Sequence, residues 1–146
     1  MTPELRAKKS AEVMWGDDPA SQALGMSLDD IGPGRSVMRM TVRGDMANGH
    51  GMCHGGFIFT LADSAFAFAC NSYNTRVVAQ HNSITYLSPG QLGEILTASA
   101  TEVSRAGRSG IYDVEVTGED GRKLALFRGH SRQIKGVHFD EDHTEG

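Results

Sequence analysis

Read for its spacing of apolar and polar positions, the chain divides into a helical start, two strands, one long apolar helix and four further strands. Thr2 is placed to cap a first helix with Pro3 at its first position, and Leu5, Val13, Met14 and Trp15 suggest its apolar side. The segment GDDPASQAL reads as a turn and a second short helix. Residues 25–31 and 36–42 have strand character and are separated by the GPG turn at 32–34. The Gly- and Asn-rich stretch 43–56 reads as a loop, and residues 56–71 are the one long helix candidate.

After that helix the period changes. Residues 75–87, 95–103, 111–117 and 124–134 are runs of strand length, divided by the turn signals SPGQLGE, SRAGRSG and GEDGRK. In the third run Tyr112, Val114 and Val116 fall on one face and Asp113 and Glu115 on the other. The connections are too short for crossover helices, so these strands are antiparallel. The expected class is α+β: a curved antiparallel sheet whose inner face packs on one central helix. Phe57, Ile58, Leu61, Phe66 and Phe68 go most of the way round that helix, more than one sheet can cover. A second copy of the chain is the simplest source of the missing layer. A single domain over 1–146 is expected, with a helical segment at about 1–24, a core at about 25–136 and a frayed acidic tail, VHFDEDHTEG, at 137–146.

Composition narrows the partners. The 146 residues are 39% hydrophobic and 22% charged, ordinary for a soluble globular protein, and long enough to bury a sizeable core. A formal net charge of −4 argues against nucleic acid, since there is no basic excess to neutralise phosphates. Cys53 and Cys70 make no disulfide framework, and the N-terminus lacks the apolar run of a secretory signal. The longest apolar stretch, around 57–70, is too short for a bilayer and is interrupted by Asp63. A cytoplasmic protein without a membrane or nucleic-acid partner is expected.

That interruption is the first candidate for chemistry. Asp63 is the only charge between Gly55 and Cys70. It fits a structural carboxylate satisfied by Thr60, Ser64 or a cation, and equally a base or nucleophile made more basic by poor solvation. Gly49, Gly51, Gly55 and Gly56 lead into the helix, so backbone N–H groups gather where the helix dipole is positive and can hold an anion or a developing oxyanion. Their G-x-G-x-x-x-G spacing fits neither the dinucleotide fingerprint nor a P-loop. His50, Cys53 and His54 lack the second pair of ligands a metal would need, and no oriented base accompanies Cys53 as a nucleophile. Cys70 reads as a small core residue. No metal is expected.

The stretch NGHGMCHGGFIFTLADSAFAFAC, followed by ITYLSPG, GIYDVEV and LALFRG, resembles the hotdog-fold acyl-CoA thioesterases, and most closely the PaaI family of phenylacetic acid degradation thioesterases. The resemblance runs from about residue 24 to 136 and implies a hotdog fold: a curved antiparallel sheet wrapped around one long helix. It implies hydrolysis of aryl- or arylacetyl-CoA without a cofactor, by a homo-oligomer, a dimer of dimers, with active sites shared across the dimer interface. By similarity Gly55 matches the backbone donor to the thioester carbonyl, and Asp63 the base or nucleophile. Asn48 matches the side chain that orients water or thioester, and His54 the histidine beside the donor. Apart from the resemblance, Gly56, Phe57 and Phe59 are the candidates for binding substrate, the two phenylalanines as lining of an acyl pocket. Some members add a Ser or Thr from the next strand; here that stretch holds Gln80, His81, Asn82 and Ser83. A non-catalytic acyl-CoA sensor and a hotdog-type enoyl-CoA hydratase are the alternative readings.

Helix geometry adds a constraint. Gly55 and Asp63 are eight residues apart, about 12 Å along a helix. A base must lie within about 3 Å of the atom it serves, or one water further away. A neighbouring subunit's Asp63, on an antiparallel helix, could meet this chain's Gly55. Phosphates of CoA call for cations at the site mouth; Arg105, Arg108 and Arg128 are candidates, but solvated surface charge is the better reading of each and none is assigned.

Overall fold

Thr2 caps α1 (Pro3–Gly16): its hydroxyl accepts from the Leu5 N–H at 3.1 Å, and Pro3 stands where its missing N–H is no loss. The computed structural model describes residues 1–141. α1 buries Ala7, Ser10 and Ala11, whereas Leu5 and Val13 are exposed. Of the side chains expected on its apolar side, Met14 and Trp15 pack against the core and Leu5 and Val13 do not. Small residues at helical spacing let α1 lie close, which outweighs the apolar area of the two larger side chains. α2 (Pro19–Ala23) follows, with the Asp18 carboxylate accepting from the Ser21 N–H at 3.1 Å.

The remaining elements are β1 (Ser27–Gly32), β2 (Arg35–Thr41), α3 (Gly55–Cys70), β3 (Val77–Tyr86), β4 (Ile95–Ala106), β5 (Ser109–Thr117) and β6 (Lys123–Gln133). The strands form one sheet in the order β1-β2-β4-β5-β6-β3, antiparallel at every pairing. This is the expected hotdog architecture, with β1 and β3 as its edges. The inner face, carried by Met38, Leu96, Val114 and Phe127 among others, packs on Ile58, Leu61, Ala65 and Phe66 of α3. At Gly129 of β6 the sheet lies tight against α3, for a Cβ there would be 2.7 Å from the Phe66 ring. Glycine there lets Phe66 settle against Tyr112 and Phe127, with ring centroids at 5.7 and 5.8 Å.

The second side of α3 is covered in part by the chain itself. Trp15 of α1 packs on Phe68 with ring centroids 6.3 Å apart, and the Ser21 and Ser64 hydroxyls share a hydrogen bond of 2.9 Å. The N-terminal helices thus supply some of the layer expected from a second copy. What stays open is a line of small side chains: Gly56 is exposed, and Thr60, Asp63 and Ala67 are half-buried. These positions share one helix face.

The tail also departs from expectation. Residues 137–141, expected to fray, are tied back to the body. Asn74, in the left-handed conformation with φ 59°, accepts from the His138 N–H at 3.0 Å and donates to the Phe139 carbonyl at 2.9 Å. Glu141 pairs with Arg6 at 2.9 Å. Residues 142–146 lie outside the described residues. Among the described residues, no helix is long and apolar enough to cross a membrane.

Candidate active site

The loop before α3 is built around Asn48. Its Oδ1 accepts from the His50 N–H at 2.9 Å and the Met52 N–H at 3.2 Å, while its own N–H donates to the Met52 carbonyl at 2.7 Å. A bridge between Ala47 and Cys53 closes the loop. With Oδ1 committed to the backbone, the side chain has only its Nδ2 donors to offer a ligand. Asn48 lines a pocket of about 310 Å³ that also meets Cys53, Gly55, Ile58 and Tyr86.

His54 caps α3. Its Nδ1 accepts from the Gly56 N–H at 3.0 Å, which puts the proton of the neutral ring on Nε2, and its backbone N–H donates to the Met46 carbonyl at 2.7 Å. Gly56, expected to bind substrate, therefore has its donor spent on His54. The Gly55 N–H has no acceptor among the described residues and stands at the positive end of the helix dipole. Tyr86 closes over it from β3: its hydroxyl donates to the Gly55 carbonyl at 2.9 Å, and a Cβ on Gly55 would lie 3.1 Å from the Tyr86 ring. Tyr86 goes unnoticed in the sequence, where it is one residue of a strand. Glycine at 55 is what keeps this donor accessible beside an aromatic ring.

Two turns further along, the Asp63 carboxylate is half-buried and accepts from Asn82 Nδ2 of β3 at 3.2 Å. Burial raises its pKa above the usual carboxylate range, and the Asn82 bond partly offsets that. Neither hydroxyl considered as its structural partner reaches it: Thr60 donates to the Gly56 carbonyl at 2.9 Å and Ser64 is engaged with Ser21. Of residues 80–83, register brings Asn82 alone to Asp63. A bulge between Ala79 and His81 turns Asn82 and Ile84 inward, while Gln80, His81 and Ser83 are exposed. Asn82 Oδ1 is buried with no partner among the described residues.

Of the two flanking phenylalanines, Phe59 packs edge-on against Phe127 with ring centroids 5.5 Å apart, and Phe57 meets the His54 ring at 6.3 Å. Both remain half-buried. Cys53 is buried, and burial raises its thiol, so it stays protonated; the Cys70 thiol is pushed up to about 12 for the same reason. His50, Cys53 and His54 do not converge, and among the described residues no three His, Cys, Asp or Glu side chains do. Arg128 is drawn away by Asp113, with Nε–Oδ1 at 2.6 Å and Nη2–Oδ2 at 2.8 Å.

The family model of the thioesterase superfamily matches residues 50–125. The Escherichia coli acyl-coenzyme A thioesterase PaaI is 41% identical over 132 residues, 90% of this chain and 94% of that protein. The solved structure of the E. coli PaaI protein from the phenylacetic acid degradation operon superposes with a TM-score of 0.92 at 40% identity, covering 93% of this chain and 99% of that one. A Streptococcus mutans protein bound to acetyl-CoA superposes with a TM-score of 0.74 at 25% identity, covering 77% of this chain and 90% of that one.

Proposed function

The chain belongs to the thioesterase superfamily, and from that premise we propose that it hydrolyses acyl-CoA thioesters to free acid and CoA. Aryl- or arylacetyl-CoA, such as hydroxyphenylacetyl-CoA, is the substrate class, within phenylacetate degradation. The relation to an E. coli acyl-CoA thioesterase along most of both chains supports this choice. The observation that carries it is a pair of half-sites on one helix: an unspent Gly55 N–H at its start and a half-buried Asp63 two turns on.

Eight residues of helix, about 12 Å, keep these half-sites from sharing a thioester within one chain. Two chains with antiparallel α3 helices complete two sites, each pairing Gly55 of one protomer with Asp63 of the partner subunit. The open line of Gly56, Thr60, Asp63 and Ala67 supports a close helix approach, and the exposed edge strand β3 supports continuation of the sheet into the partner. The working assembly is a homo-oligomer, a dimer of dimers. Such a substrate sets the enzyme in the cytoplasm.

At each site the thioester carbonyl accepts from the Gly55 N–H, and the helix dipole stabilises the oxyanion as it forms. His54 holds the first turn by taking the Gly56 N–H, which leaves Gly55 free for this task. Asn48 donates through Nδ2 to water or carbonyl. Asp63 acts as a general base: a water whose two protons face the Asp63 carboxylate and Asn82 Oδ1 has its lone pair left for the thioester carbon. The unpartnered Asn82 oxygen supports this route over direct attack by the carboxylate. As the water oxygen bonds to carbon its proton passes to Asp63, and the C–S bond breaks to release CoA thiolate. Phe57 and Phe59 line the acyl pocket.

Thiol release from phenylacetyl-CoA, hydroxyphenylacetyl-CoA and short aliphatic acyl-CoAs tests the reading. Turnover with the arylacetyl substrates favoured is the expected result. Binding without thiol release, or hydration of an enoyl-CoA without it, overturns it.

A further inference from the structure

The first turn of α3 opens on two glycines, Gly55 and Gly56, a residue type that loses more conformational freedom on folding than any other. A donor on such a turn keeps its direction only if other groups hold the backbone around it. Among the described residues three side chains do so. His54 Nδ1 accepts from the Gly56 N–H at 3.0 Å, and Thr60 donates to the Gly56 carbonyl at 2.9 Å. These two belong to the helix or its cap. The third, Tyr86, comes from β3 and donates to the Gly55 carbonyl at 2.9 Å.

The peptide unit between Gly55 and Gly56 is thus gripped at both ends, its carbonyl by a phenol and its N–H by an imidazole. The preceding unit carries the free Gly55 N–H, and its own carbonyl accepts from the Phe57 N–H at 3.0 Å. Gly55 is the joint between the two units. With no Cβ it would let one swing against the other, and the Tyr86 bond fixes the joint from outside the helix. The ring adds a wall, for a Cβ on Gly55 would lie 3.1 Å from it. Toward a carbonyl the hydroxyl can act only as a donor, and burial raises the pKa of the phenol, so it keeps the proton it shares.

Tyr86 is itself anchored. It stands opposite the buried Ala125 of β6, and the next N–H, of Leu87, donates to the Leu124 carbonyl at 2.7 Å. Just beyond, the Gly90 carbonyl accepts from the Cys53 N–H at 2.9 Å, a second tie between the end of β3 and the entrance to α3. The same strand holds the acid. Asn82, which donates to Asp63, and Tyr86, which donates to Gly55, are four residues apart on one face of β3, about 13 Å. Gly55 and Asp63 are about 12 Å apart along α3. The strand therefore meets both half-sites of the helix at matching spacing, and either contact can be removed without the other.

We propose that Tyr86 is a positioning residue for the reaction: its phenol holds the Gly55–Gly56 peptide, and through it the aim of the Gly55 N–H at the thioester carbonyl. This role rests on the acyl-CoA reading above. A donor held in direction before the oxyanion forms stabilises the transition state more than the bound substrate, so the effect belongs in kcat.

Tyr86→Phe keeps the ring and removes only the hydroxyl. Its kcat for thiol release should fall about tenfold, the effect of one hydrogen bond, with KM within about twofold of wild type. The acid limb of the pH profile, set by Asp63 and Asn82, should stay where it is. Amide relaxation gives a readout independent of turnover. The order parameter of the Gly55 N–H should drop from about 0.85 towards 0.6 in the variant, while that of Ala65, further along α3, holds. Tyr73→Phe, which loses a phenol hydroxyl bonded to Glu102 instead, should change none of these. An unchanged kcat, a loss confined to KM, a shifted acid limb or an unchanged Gly55 order parameter overturns the proposal. If wild type cleaves no acyl-CoA, the acyl-CoA reading has failed. Relaxation then judges the tie by itself: a fall at Gly55 in Tyr86→Phe upholds it, and an equal value overturns it.

Discussion

Asn82 of β3 donates to the Asp63 carboxylate of α3 at 3.2 Å, nineteen residues away in sequence, and its own carbonyl oxygen is buried with no partner among the described residues. One amide thus steadies the anion and presents a second acceptor at the same place. Burial works the other way on Asp63, raising its pKa, so the carboxylate is both held and kept basic.

Removing that amide should therefore show in the pH profile. Asn82→Ala takes away the bond that lowers the Asp63 pKa, so the acid limb of kcat/KM moves to higher pH. A lost hydrogen bond to a charged group, about 1.5–3 kcal/mol, predicts a fall in kcat/KM at pH 7 of roughly ten- to a hundredfold. A lower rate with an unshifted acid limb would show that Asn82 matters only for packing.

Asp63→Asn should abolish nearly all thiol release, at least roughly a hundredfold, while leaving the oligomer intact. Its effect on stability has a definite sign. Burial raises the Asp63 pKa in the folded state, so as pH rises the unfolded chain loses this proton first. Folded stability drops between the unfolded and the folded pKa and stays lower above. The asparagine variant should thus melt at or above the wild-type temperature at pH 7, an advantage that disappears below the ordinary carboxylate range. Thermal melts at both pH values check it.

Two substitutions separate the roles of Asn48. Asn48→Asp keeps an oxygen for the His50 and Met52 N–H groups but replaces the Nδ2 donor with a negative oxygen. Its melting temperature should stay near wild type while kcat falls by roughly a hundredfold, the scale of losing one donor to the oxyanion or its water. Asn48→Ala should lose the loop bonds as well, lowering stability by about 1–2 kcal/mol. Urea melts alongside turnover tell the two apart.

How much of this was legible beforehand follows from the range of each interaction. α3 and its glycine entrance could be read because the signals lie within one stretch of chain, and the four later strands because turn residues separate them. The mates of Asp63 could not. Asn82 faces inward only because a bulge after Ala79 shifts the pairing of β3 with β6, and Tyr86 reaches Gly55 across thirty-one residues. The inner side of α1 was legible only in part: Met14 and Trp15 pack on the core as expected, but the fully buried Ala7 and Ala11 are small, while the larger Leu5 and Val13 look outward. The acidic tail read as solvated because its partners, Arg6 and Asn74, are remote in sequence. Asn48 and His54 were placed by resemblance; what each does with its hydrogen bonds took the structure to see.

The central claim is that Gly55 and Asn48 of one protomer work with Asp63 of the partner subunit. Subunit mixing tests it directly. Asp63→Ala and Asn48→Ala homo-oligomers are each expected to be nearly inactive. A two-fold pair holding one of each has one site with both lesions and one with none. After equal mixing and exchange, verified by mass spectrometry, thiol release should recover to about a quarter of the wild-type rate, since half the pairs are mixed and each has one intact site of two. Exchanged oligomers that stay inactive would mean that each site is built within a single chain, and would contradict the account.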